Sequence, residues 1–147
     1  MVSQALEIFV DSVMERGEIT QADMRHLHRD VLPQGPTCRD EVDVLVALDR
    51  AVDSKAPTWS AFLMREVIDF VVWQSRPTGI IDRETAYWLT TSLGCGTGPS
   101  DLAVAIAFEI VRECEQADEV LVAFLMRFAR GRRTAIDAPA VALDRAA

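Results

Sequence analysis

Ala61-Phe62-Leu63-Met64-Arg65 returns unchanged as Ala123-Phe124-Leu125-Met126-Arg127, 62 positions further along the chain. The glycines that read as turns keep nearly the same interval: Gly17 corresponds to Gly79 at 62, and Gly35 to Gly96 at 61. Apolar anchors keep the register, with Leu27 against Leu89, Val10 against Val72 and, one position short, Leu45 against Ile106. Self-similarity at a fixed interval marks a repeated supersecondary unit. The chain therefore reads as two related helical units of about 62 residues, 1–57 and 58–117, followed by a C-terminal helix.

Hydrophobic spacing says what the units are made of. Leu6, Phe9, Val10 and Val13 form the stripe of a first helix from about Ser3 to Glu15, stopped by Gly17. Thr20 followed by Asp23 places a capping box ahead of Met24, Leu27 and Val31. After Leu32-Pro33-Gln34-Gly35-Pro36, Thr37 and Asp40 repeat that logic for a third helix to about Val52. Trp59 to Trp73 is apolar nearly all round, which predicts a helix at the centre of the fold. Asp82 caps a fifth helix to about Leu93, Pro99-Ser100-Asp101 opens a sixth to about Glu115, and a seventh runs from about Asp118 to Ala129. No segment alternates with period two. The expected fold class is all-α, about seven helices in one compact domain over 1–130, with 131–147 as a flexible tail.

The 147 residues carry 23 acids against 15 Lys and Arg, net −8. That balance repels polyphosphate and argues against a nucleic-acid partner. Cys38, Cys95 and Cys114 are odd in number and form no C-x-x-C pair, so reduced thiols are expected. No apolar run approaches the ~20 residues of a membrane helix. The first residues lack a basic region and include Glu7 and Asp11, unlike a secretory signal. A cytoplasmic location without a membrane partner is the expectation.

Gly17-Glu18-Ile19-Thr20 and Gly79-Ile80-Ile81-Asp82 share a glycine, an isoleucine two residues on, and a helix cap. The pattern resembles the later half of an EF-hand calcium loop, where the glycine makes the sharp turn and the isoleucine pairs with a neighbouring loop. The helical plan, over residues 8 to 115, is also similar to TerB-type proteins of tellurite-resistance operons and to other bacterial helical proteins with such turns. The resemblance implies divalent-cation binding. The liganding positions depart from it. With Gly17 sixth in the loop, positions one, three, five and twelve are Ser12, Met14, Arg16 and Asp23. With Gly79 they are Gln74, Arg76, Thr78 and Thr85; with Gly96, Thr91, Leu93, Cys95 and Leu102. Gly35 gives Asp30, Leu32, Gln34 and Glu41. Calcium takes six to eight oxygen ligands, which methionine, leucine and arginine cannot supply. These are degenerate EF-hand-like turns.

Several constellations carry possible chemistry. Asp23, His26 and Asp30 at i, i+3 and i+7, with Glu41, are the metal candidates. Against that, Asp23 serves as a capping acid and His26 with Asp30 makes an ordinary i, i+4 pair. Glu66 and Asp69 in the most apolar helix are either a buried acid–base pair or partners of Arg65 and Arg76. Leu93-Gly94-Cys95-Gly96-Thr97-Gly98 resembles the glycine-rich loop of S-adenosylmethionine-dependent methyltransferases. The helical pattern of residues 86–92 before it makes it a helix-to-helix turn instead. Arg127, Arg130, Arg132 and Arg133 read as an acidic-partner contact or as charge complementing a helix end. No nucleophile with a base partner stands out, so neither catalytic residues nor a cofactor is expected. Trp59, Trp73 and Trp88 exceed what a monomer interior of this size needs and are the candidates for a partner face. The expected function is protein–protein interaction by a non-enzymatic helical protein, self-association being the simplest case. The alternative is a divalent-cation-binding protein of TerB-like or EF-hand-like descent.

Overall fold

The helices start where the sequence supplies an acceptor for their unpaired N–H groups. A computed structural model describes residues 1–128. In α1 (Gln4–Arg16) the Ser3 hydroxyl accepts from the Leu6 N–H, and Gly17, at φ 78°, ends the helix by donating to the Val13 carbonyl. After β1 (Glu18–Ile19), α2 (Gln21–His26) opens with a complete Thr20/Asp23 capping box and runs into a π-helical turn, Leu27–Val31. Next come α3 (Arg39–Ala51), β2 (Ser54–Lys55), and α4 (Trp59–Ile68), which continues as a second π-helical turn, Asp69–Gln74. Beyond β3 (Ile80–Ile81), α5 (Arg83–Leu93) is capped by Asp82 and α6 (Asp101–Glu113) by Ser100. After β4 (Gln116–Ala117), α7 occupies residues 119–128. The described residues are mainly helical, and the strands are bridges of two residues each.

Packing divides the chain between Thr78 and Gly79, later than the repeat boundary in the sequence. The reason is that α4, which opens the second sequence repeat, packs against α3. In the first unit β1 pairs in parallel with β2, Glu18 opposite Ser54 and Ile19 opposite Lys55. In the second, Ile80 lies opposite Gln116 and Ile81 opposite Ala117, also in parallel. Each isoleucine of the Gly-x-Ile turns is buried.

Leu6, Leu27, Leu45, Leu48, Trp59 and Leu63 fill the first core; Leu89, Leu93, Ile106, Ile110 and Leu121 fill the second. Each such side chain contributes roughly 1.5–3 kcal/mol by leaving water. Within the repeated word the same split appears twice. Phe62, Leu63, Phe124 and Leu125 are buried, while Ala61, Arg65, Ala123 and Arg127 are exposed.

Two expectations are corrected. Thr37 does not cap α3; Cys38 occupies that position without a side-chain bond, and the acid that reaches back is Glu41 rather than Asp40. Nor is the Trp59–Trp73 stretch buried all round. It buries Trp59, Phe62, Leu63, Glu66 and Val67, then Val71 and Val72, and leaves Trp73 48% exposed. Regular winding would have buried position 70 after 66 and 67. The wider π turn absorbs one extra residue and rotates the inward face. Arg130 and the tail from 131, with Arg132 and Arg133, lie outside the described residues.

Candidate functional site: a cationic groove between α2 and α4

The acids singled out as metal candidates are placed apart and mostly committed. Asp23 accepts from Arg16 through both oxygens, at 2.8 and 3.0 Å, and from the Thr20 N–H at 2.8 Å and hydroxyl at 2.9 Å. Burial pushes its carboxyl up, but Arg16 and Thr20 outweigh that and hold it below the ordinary value. Glu41 is 1% exposed and accepts from the Ser3 N–H at 3.1 Å, the Thr37 N–H at 2.9 Å and the Thr37 hydroxyl at 2.8 Å. Burial raises that carboxyl too, and the same donors bring it below its ordinary value. His26 Nδ1 lies 3.1 Å from Asp30 in an exposed pair. Among the described residues no three His, Cys, Asp or Glu side chains are grouped to hold a metal ion.

The tryptophans also separate. Trp59 is wholly buried and donates to Asp49 at 2.9 Å, so it belongs to the interior and not to a partner face. Trp73 is exposed and Trp88 partly so. Glu66 is buried with its carboxylate against Gly35 and pairs with Arg65 at 3.4 Å; Asp69 is partly exposed in the π turn. The Gly94–Pro99 stretch follows α5, a helix rather than a strand, in keeping with a turn. Burial pushes the Cys114 thiol up, the opposite of what a nucleophile needs. No buried side-chain nitrogen or oxygen among the described residues lacks a partner.

What the sequence did not disclose is a groove of about 330 Å³ between α2 and the first turns of α4. Met24 and Phe62 form its apolar floor, and Ala61 leaves its wall low. Arg25 and Arg65 supply its cationic rim with the His28 imidazole between them in the lining, and the Thr58 hydroxyl donates to the Gln21 side chain across it at 3.2 Å. The His28 ring stands edge-on to Phe62, 5.6 Å between centroids. No carboxylate lines this groove, although the chain as a whole carries net −8. A neighbouring recess shares Arg25 and His28 and adds Arg29, with His26 and Asp30 at its edge. Arg25 and Arg29 make no ion pair among the described residues.

Such a surface suits a ligand with an apolar side chain flanked by negative charge. The π turn at Leu27–Val31 brings His28 over the α4 ring. Three residues of the repeated word, Ala61, Phe62 and Arg65, line the α4 side. Packing explains the recurrence of Phe and Leu in that word but not of the exposed Ala and Arg. Among the described residues no helix is long and apolar enough to cross a membrane. Comparison with protein-family models, with curated proteins and with solved structures returns no match.

Proposed function

We propose that this chain is a non-enzymatic helical protein that works by binding another protein through the α2–α4 groove of its first unit. The carrying observation is the composition of that groove: an apolar floor, two arginines, a histidine and no acid in its lining, on a chain of net −8. Local charge opposite to the global charge favours one docking orientation and speeds encounter with an acidic partner. The volume fits one or two anchoring side chains, the mode by which a helix docks in a groove.

The same reading takes the chain as two related units of about 62 residues, with turns of EF-hand-like or TerB-like type kept for their shape, in a cytoplasmic protein. Its support is the offset of the bridges: β3 and β4 each start 62 residues after β1 and β2. Gly17, Gly35, Gly79 and Gly96 also share φ values between 77° and 80°.

Photo-crosslinking from p-benzoylphenylalanine encoded in place of Ala61 in the full chain, in the cell, tests the proposal. A discrete protein adduct that Arg65→Glu removes supports it. Adducts no stronger than those from the same residue in place of Asp53 sink it.

A further inference from the structure

The groove asks for an apolar side chain flanked by carboxylates, and α1 of this chain carries that arrangement on its outer face. Leu6, Phe9 and Val13 face inward, leaving Gln4, Ile8, Asp11 and Glu15 on the opposite stripe. Ile8 is 62% exposed, a large apolar side chain in water, with Glu7 beside it. Asp11, Glu15 and Arg25 make no ion pair among the described residues, and Arg65 has only a long contact of 3.4 Å to Glu66 while its side chain stays exposed. Asp11 and Glu15 lie about 4.5 and 10.5 Å beyond Ile8 along the helix axis. That spacing lets one apolar anchor sit on the groove floor while acids reach the arginines at its rim.

We infer that the groove's occupant is a second copy of this chain, docking α1 so that Ile8 covers Ala61 and Phe62 while Asp11 and Glu15 face Arg25 and Arg65. The inference rests on the groove being a protein-contact site and names the partner. Because each copy carries both the groove and α1, a twofold dimer satisfies the contact twice. The net charge of −8 opposes association at long range, so the local complementarity has to hold the copies together.

Two variants test it, each with its fold verified by circular dichroism. One reverses the groove, Arg25→Glu with Arg65→Glu; the other reverses the helix, Asp11→Arg with Glu15→Arg. Sedimentation equilibrium of the full chain from micromolar to millimolar concentration should show a dimer for the unaltered protein. Each variant alone should associate at least about tenfold more weakly. An equal mixture of the two should recover a dimer to within about threefold of the original, since both contacts are then complementary again. A monomeric unaltered protein at millimolar concentration overturns the inference. So does a mixture that associates no better than its components. If the chain stays monomeric while the Ala61 adduct to a different protein persists, the self-contact fails and the interaction reading stands. If the adduct is lost as well, both fail.

Discussion

The Trp59 indole N–H donates to Asp49 Oδ1 at 2.9 Å, and both side chains are buried. Lys55 also reaches Asp49, meeting its carboxylate at 3.1 Å and its carbonyl at 2.8 Å. One acid thus ties the end of α3, the bridge strand β2 and the start of α4. Removing the acid leaves a buried N–H without its acceptor and strips the Lys55 ammonium of its counter-charge, leaving it only the backbone carbonyl at position 49, whereas removing the N–H leaves Asp49 still paired with Lys55. Asp49→Ala should therefore cost about 3 kcal/mol, and Trp59→Phe about 1–2 kcal/mol. Urea unfolding followed by circular dichroism measures both; equal costs would contradict this division of roles.

Glu41 makes stability depend on pH. Its carboxyl is held below the ordinary value of 4.5 by the Thr37 and Ser3 donors acting against burial. A lowered folded value means the contribution is complete above the unfolded value and lost as pH falls through the folded one. Asp23, lowered by Arg16 and Thr20, acts in the same direction. The unaltered chain should lose stability progressively below about pH 4.5. Glu41→Gln should cost about 1–2 kcal/mol at neutral pH and show a flatter acid limb. Parallel curves for the two proteins would exclude Glu41 as the source.

Gly17 and Gly35 separate backbone strain from steric conflict. Their φ values are 78° and 77°, so alanine is strained at either. A Cβ at Gly17 meets nothing within 4 Å, while one at Gly35 collides with the Glu66 carboxylate. Gly17→Ala should cost about 1 kcal/mol and Gly35→Ala about 3 kcal/mol. Thermal melts of the two variants give the comparison, and equal losses would remove the steric part.

Calcium, magnesium and zinc should each give no micromolar binding by calorimetry. Binding at a hundredfold excess over the dissociation constant would stabilise the fold by about 2.7 kcal/mol, a shift easily seen on melting. The expectation comes from the side chains: Asp23 and Glu41 are engaged by protein donors, and among the described residues His26 has a single carboxylate partner, Asp30. A clear melting shift with any of these ions would revive the cation-binding alternative.

Local chemistry made much of the fold legible. Ser3, Thr20, Asp82 and Ser100 announce their helices because a short polar side chain ahead of an apolar stripe has one good use. Gly17 and Gly79 announce turns for an equally local reason. The groove was not legible, because Arg25 and Arg65 meet through tertiary packing and no periodicity links positions so far apart. Trp59 misled for a related reason. Tryptophan count suggests a surface, yet whether an indole is interior depends on a partner such as Asp49, ten residues earlier. Hydropathy also gave no sign of the π turns, since the added residue changes phase without changing composition.

The six residues Asp69–Gln74 act as a gear in mid-helix. One uninterrupted rod serves two angular settings because a spare residue is stored there. Deleting a single residue from this stretch would advance the remainder of the rod by about 100° and thrust the Trp73 indole into the slot that holds Val72. The stretch whose hydropathy looks most forgiving is thus where chain length is least negotiable.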